Sequence, residues 1–96
     1  MRVPILKQTW MLLFQKIRNR TGNCTLGDCD DPNDYKGKFP VIRIDSSIKG
    51  RELLTILIHE VWHASDWYRD EEFVKRASKD MANILWKLGY RRDGES

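Results

Sequence analysis

Both histidines of this 96-residue chain stand within one five-residue stretch, and they are the residues best suited to chemistry. The stretch reads His59-Glu60-Val61-Trp62-His63, which is the pattern HExxH. Residues four apart in an α-helix lie one turn apart on the same face, so both imidazoles can reach one metal ion. Random placement of the same residues would produce this pattern roughly 0.002 times per chain.

The chemistry that this pattern predicts is metal-assisted hydrolysis. Two histidines, one carboxylate and a water make up the common catalytic zinc site. A carboxylate beside that water can take a proton from it and pass the proton to a leaving amine. We therefore predict Zn²⁺ as the cofactor, His59 and His63 as ligands, and Glu60 as the catalytic residue. The competing interpretation is a pair of hydrogen-bonded core histidines with Glu60 at a solvated edge.

The elements around the pattern follow from the spacing of apolar residues. Arg51–Ser65 is apolar nearly all round, which predicts a buried central helix. A polar break over Asp66–Asp70 separates it from a second helix over Glu71–Leu88, where apolar residues recur at helical spacing. Gly89 ends that helix.

The first half of the chain is less regular. Met1–Arg20 has apolar residues at helical spacing, which predicts an N-terminal helix. The polar segment Thr21–Asp34 predicts a loop that could contain a short strand near Cys24–Leu26. Alternation over Phe39–Ile44 predicts a strand, and Pro40 at its start favours an edge position. The predicted fold class is therefore α+β, with a small sheet around the central helix.

The segment from Val41 to Leu88 resembles the HExxH zinc metallopeptidases, the zincins. It is most similar to their compact gluzincin branch, the minigluzincins, and more loosely similar to ImmA/IrrE-type metallopeptidases. The resemblance implies a single zincin-like domain over 1–96 that hydrolyses peptide bonds in a peptide or protein substrate. It also implies that an edge strand, Val41–Asp45, lines the cleft, and that the source is a phage or a prokaryote.

The same resemblance implies that the third zinc ligand is a glutamate near the start of the helix after HExxH. We expect Glu72, because it stands immediately before the apolar residues that begin at Phe73, and we keep Glu71 as the alternative. Asp66 is a further candidate. Three ligands in a row on one straight helix cannot surround a metal tetrahedrally, so we expect Asp66 to accept an imidazole N–H or to end the helix.

Composition excludes several other classes. A chain of 96 residues forms one domain with a thin core. No apolar stretch approaches the roughly 18 residues that span a bilayer, so we expect no membrane partner. The net charge of +3 comes without a basic stripe, so nucleic acid is not the expected partner. Cys24 and Cys29 are too few for a disulfide framework, which predicts free thiols and a cytoplasmic location.

Two other functions stay open at this point. A zinc-stabilised binding module without activity is one, because a bound metal supplies folding free energy to a domain of this size. A small basic nucleic-acid-associated factor that uses the N-terminal helix is the other, and it predicts binding that weakens steeply with salt. None of these hypotheses sets an oligomeric state.

Overall fold

In the part of the chain that the structure describes, four strands and two helices form a small α+β fold, as predicted. The computed structural model describes residues 1–17 and 26–92. The elements are β1 (Arg2–Ile5), β2 (Gln8–Gln15), β3 (Gly27–Cys29), β4 (Val41–Asp45), α1 (Gly50–Ser65) and α2 (Glu71–Lys87). The strands make one mixed sheet in the order β1-β2-β4-β3. The first helix, α1, packs against the sheet, and α2 packs against α1.

The N-terminal segment is a β-hairpin, so the helix predicted over Met1–Arg20 is wrong across its described part. Strands β1 and β2 pair antiparallel, with Ile5 opposite Gln8, and Leu6 and Lys7 form the two-residue loop. Both loop residues have positive φ, 49° and 67°. The continuous apolar run of β2 belongs to a strand inside the sheet, where Trp10 is buried and its other apolar side chains are half-buried.

Strand β4 lies inside the sheet, which corrects the prediction that it is an edge. It pairs parallel with β2 on one side and antiparallel with β3 on the other. Pro40 does not conflict with this position, because it precedes β4 and its carbonyl oxygen accepts from the Met11 N–H at 2.9 Å. The described sheet therefore ends at β3, beside α1.

The core lies between the sheet and α1. Strands β2 and β4 contribute three side chains with no exposure to this core, Trp10, Ile42 and Ile44. Helix α1 is less enclosed than predicted, since only Leu53, Glu60 and Ala64 of its residues are buried. Its other apolar side chains are half-buried, because α2 and the sheet leave part of its surface open.

The predicted break between the helices is confirmed. Helix α1 ends at Ser65, and α2 begins at Glu71. The Asp70 carboxylate caps α2 by accepting from the Phe73 N–H at 3.0 Å. Gly89 follows the helix with a φ of +94°. Within the described ranges, neither helix is long and apolar enough to cross a bilayer.

Candidate metal centre

The two histidines converge on one point beside α1. His59 Nε2 lies 3.0 Å from His63 Nε2. Both side chains are mostly buried, with 21% and 17% of their surface exposed. The rings meet edge to face, with 4.7 Å between centroids. The helical spacing that the sequence predicts therefore does bring both ring nitrogens together.

A carboxylate from the second helix completes this group. Glu71 Oε1 lies 3.2 Å from His59 Nε2, and Glu71 Oε2 lies 3.1 Å from His63 Nε2. Glu71 is the first residue of α2, so the Asp70 cap that starts this helix also fixes its backbone. One carboxylate thus contacts both imidazoles across the junction between the helices.

The three side chains fit a divalent ion such as zinc. Ligand atoms at about 2.0–2.1 Å from a tetrahedral ion stand about 3.3 Å from one another. The nitrogen and carboxylate oxygen atoms here are separated by 3.0 to 3.2 Å. Imidazole nitrogen and carboxylate oxygen are also the donor types that zinc takes at catalytic sites. Both the distances between the ligand atoms and their chemical types therefore match what a zinc ion requires.

The other two candidates for third ligand have different partners. Glu72 accepts from Arg76 Nε at 3.1 Å, one helical turn along α2. Asp66 caps the end of α1 and accepts from Arg69 Nε at 2.9 Å. The structure thus places the alternative, Glu71, at the histidines instead of the preferred Glu72.

Burial favours the neutral form of His59. It lowers the pKa of His59, and the neighbouring His63 lowers it further, while Glu71 acts in the opposite direction. Metal binding needs neutral imidazoles with a free lone pair. The lowered pKa of His59 favours that form near neutral pH.

Glu60 is a buried acid beside the histidines. Only 5% of its surface is exposed. Its carboxylate lies within 4.8 Å of the imidazole nitrogens. Burial raises the pKa of Glu60 to about 7, with smaller contributions from the negative charges of Asp28 and Glu71. Glu60 therefore belongs with His59 and His63 to a group that could hold a metal ion, and its carboxylate is also close enough to exchange a proton beside them.

Edge strand β3 packs tightly against this part of α1. A Cβ added at Gly27 would stand 2.8 Å from Ile56 Cγ2 and 3.1 Å from Glu60 Oε2. Only glycine allows this approach. Sequence reasoning missed Gly27, although a glycine inside a short strand often marks the place where another element comes close.

The site opens into a pocket of about 340 Å³. Its walls are formed by Cys29, Glu60, His63, Trp67 and Glu71. The edge of the Trp67 ring faces His63, with 6.3 Å between centroids. Glu60, His63 and Glu71 therefore share one space with room for solvent or a substrate group.

Cys29 is a free thiol at the wall of this pocket. Its Sγ donates to the Asp30 carbonyl oxygen at 3.3 Å. Burial, followed by the charge of Glu60, raises its pKa to about 12. The free thiol predicted at Cys29 is confirmed, whereas Cys24 lies outside the described residues.

Comparisons with known protein families, curated proteins and solved structures found no match to this chain. The geometry of the site is therefore the basis for assigning its function.

Proposed function

We propose that this protein is a zinc-dependent peptidase, with His59, His63 and Glu71 as the metal ligands and Glu60 as general base. The contact of one Glu71 carboxylate with both imidazole nitrogens carries this proposal. It supplies the two nitrogens and one oxygen of a catalytic zinc site from two packed helices. Glu60 lines the same pocket as His63 and Glu71.

The chain's own residues divide the chemistry between them. A zinc ion held at this site would act as a Lewis acid towards a peptide carbonyl and would lower the pKa of water. The Glu60 carboxylate accepts a proton from the attacking water and then delivers it to the nitrogen of the leaving amine. In the metal-free protein the pKa of Glu60 is about 7, and a zinc ion beside it would lower that pKa and favour the carboxylate form that accepts the proton. Burial keeps competing bulk water away from the carboxylate.

The variant Glu60→Gln tests this proposal. Parent and variant are purified without chelator and compared for zinc content, melting temperature and cleavage of a library of quenched fluorescent peptides. We expect the variant to keep its zinc and its fold and to lose cleavage by about 10²–10⁴-fold. Glu52→Gln, an exposed change in the first turn of α1, is the matched control and should keep all three properties.

A zinc-stabilised binding module is the second candidate, favoured by the thinness of the core. Few side chains are fully buried, and the Glu71 contact joins α1 to α2. A metal ion there would stabilise the packing of the helices whether or not hydrolysis follows. A parent protein that binds zinc but cleaves no peptide across the library would support this module and contradict the peptidase.

The nucleic-acid hypothesis loses its structural basis. It requires a basic N-terminal helix, whereas residues 2–15 form β1 and β2. Arg18 and Arg20 lie outside the described residues. DNA or RNA binding that weakens steeply with salt would restore this hypothesis.

A further inference from the structure

A second pocket, of about 400 Å³, shares no lining residue with the candidate metal centre. It lies between β2, α1 and the segment that follows α2. Seven large apolar side chains line it: Met1, Leu12, Phe14, Leu53, Leu54, Leu57 and Leu85. Its volume falls in the range of roughly 300–1,000 Å³ that is usual for small-molecule sites.

Two adjacent arginines supply the charged side chains of this pocket. Arg91 and Arg92 both line it, and among its described lining residues there is no carboxylate. The Arg92 guanidinium lies 4.1 Å from the centroid of the Phe14 ring. The Arg91 guanidinium lies 3.2 Å from the centroid of the Trp86 ring. An apolar cavity with two cations at its rim favours an anionic ligand.

Stacking on aromatic rings leaves an arginine able to bind an anion. The contact uses the flat face of the guanidinium, whereas its N–H groups lie in the plane. Arg91 Nη1 donates to the carbonyl oxygens of Trp86 and Tyr90 at 3.1 and 2.9 Å. Its Nε and Nη2 remain as further donors, since a guanidinium carries five N–H groups. The two side chains are thus held in place beside the pocket.

We propose that this pocket binds a long-chain carboxylate, with the hydrocarbon chain against the leucines and the carboxylate on Arg91 and Arg92. An acyl chain fits because the walls offer aliphatic contacts and almost no neutral hydrogen-bonding side chains that would select a sugar or a base. A carboxylate fits because guanidinium and carboxylate pair through charge-assisted hydrogen bonds, which are strong beside an apolar surface.

A neighbouring depression provides an internal comparison. It has a volume of about 380 Å³ and is lined by Leu57, Ile58, Val61, Trp62, Ser65 and Met81. No charged side chain is among these residues. It offers an apolar surface of similar size without a cation that could pair with a carboxylate. A ligand that needs only apolar contacts would therefore bind in both places.

Calorimetric titration of the full 96-residue chain with dodecanoate, below its critical micelle concentration, tests the proposal. Dodecanol and dodecyltrimethylammonium carry the same chain length with a neutral and a cationic head. We expect one dodecanoate per chain, bound at least about tenfold more tightly than dodecanol, because charge-assisted hydrogen bonds are the added interaction. The cationic compound should bind more weakly than either.

Two pairs of variants locate the ligand. Arg92→Gln should weaken dodecanoate binding about tenfold or more and leave dodecanol binding unchanged. Arg76→Gln, on the exposed surface of α2, is its control. Leu54→Trp fills the pocket and should abolish binding, whereas Ile58→Trp fills the neighbouring depression and should not.

Any of four results would overturn the proposal. Two concern affinity: equal affinity for dodecanoate and dodecanol, or an unchanged dodecanoate affinity in Arg92→Gln. The other two are a stoichiometry of several molecules per chain, and binding to phosphatidylglycerol vesicles without binding to free dodecanoate. The arginine variants are at exposed positions, so they test the proposal even if Leu54→Trp fails to fold.

Discussion

His59 Nε2 lies 3.0 Å from His63 Nε2, although the Cβ atoms of residues on successive helical turns stand roughly 5–6 Å apart. The rings therefore lean towards each other, and the Glu71 carboxylate spans both nitrogens. The site depends on three further features: the approach of β3, the start of α2 and the burial of Glu60. Each of them gives a prediction.

The close packing of β3 against α1 predicts that Gly27→Ala destabilises the protein. The added Cβ would lie 2.8 Å from Ile56 Cγ2, so strand or helix must shift, at a cost of about 1–3 kcal/mol. Gly37→Ala is the matched control, because its Cβ would meet only the Phe39 carbonyl oxygen, at 3.7 Å. Its effect should stay within about 0.5 kcal/mol. Urea unfolding measures both, and equal midpoints would contradict the account.

The cap of α2 predicts that Asp70→Ala weakens both the helix and metal binding. Loss of the hydrogen bond from the Phe73 N–H should cost about 1 kcal/mol of stability. Because Glu71 is the next residue, fraying of this turn should also lower zinc affinity. Asp80→Ala, at an exposed position later in α2, is the control and should change neither quantity. Thermal melts with and without zinc show both effects.

The buried carboxyl of Glu60 predicts a pH-dependent effect in metal-free protein. Its pKa is about 7 in the folded state and near 4.5 in the unfolded chain, so the folded state binds the proton more tightly. Stability must then fall as pH rises from about 4.5 through 7. Glu60→Gln removes this loss. The variant should match the parent near pH 4 and exceed its stability by about 2–3 kcal/mol at pH 8.

Measuring the difference between parent and variant isolates Glu60, because every other titratable group is present in both proteins. Urea unfolding at several pH values, with chelator present, provides the data. A difference that stays constant between pH 4 and pH 8 would show that Glu60 is not held in a buried, protonated form.

The raised pKa of Cys29 predicts slow alkylation. Its pKa of about 12 keeps the thiol protonated, and the thiolate is the reactive form. In a Cys24→Ser background at pH 8, iodoacetamide should modify the folded protein at least about tenfold more slowly than the protein in urea. Mass spectrometry follows the reaction. Equal alkylation rates in the folded and unfolded protein would contradict the half-buried, protonated state of this thiol.

The two helices could be predicted because several separate features of the sequence place their boundaries at the same residues. Helix α1 was predicted over Arg51–Ser65 and is observed over Gly50–Ser65, and α2 was predicted over Glu71–Leu88 and is observed over Glu71–Lys87. Apolar spacing, the polar break over Asp66–Asp70 and a terminal glycine point to the same boundaries. Residue spacing within α1 then brings the two histidines together.

The N-terminal hairpin could not be predicted because its turn lacks the usual residues. Two-residue hairpin loops with positive φ normally contain asparagine, aspartate or glycine. Here Leu6 and Lys7 adopt these angles. The apolar residues of β2 are continuous from Trp10 to Phe14, a run that fits a helix and a buried strand equally well. Packing against β4 decides between them.

The third ligand could not be chosen from the sequence because Glu71 and Glu72 are adjacent. Consecutive residues of a helix point about 100° apart, so the choice depends on the residue at which α2 begins. The capping contact of Asp70 makes Glu71 the first helical residue and directs it to the histidines. The close packing of β3 against α1 could not be predicted either, because it joins residues that are far apart in the sequence.

Zinc titration of the metal-free parent, Glu71→Gln and Glu72→Gln tests the central claim most directly. We predict one zinc per parent chain. Glu71→Gln should lose more than about 100-fold in affinity, since even groups that only support a ligand are worth 10–100-fold. Glu72→Gln, which loses only its contact with Arg76, should bind zinc like the parent. Loss of affinity in Glu72→Gln with none in Glu71→Gln, or no zinc binding by the parent, would contradict the account.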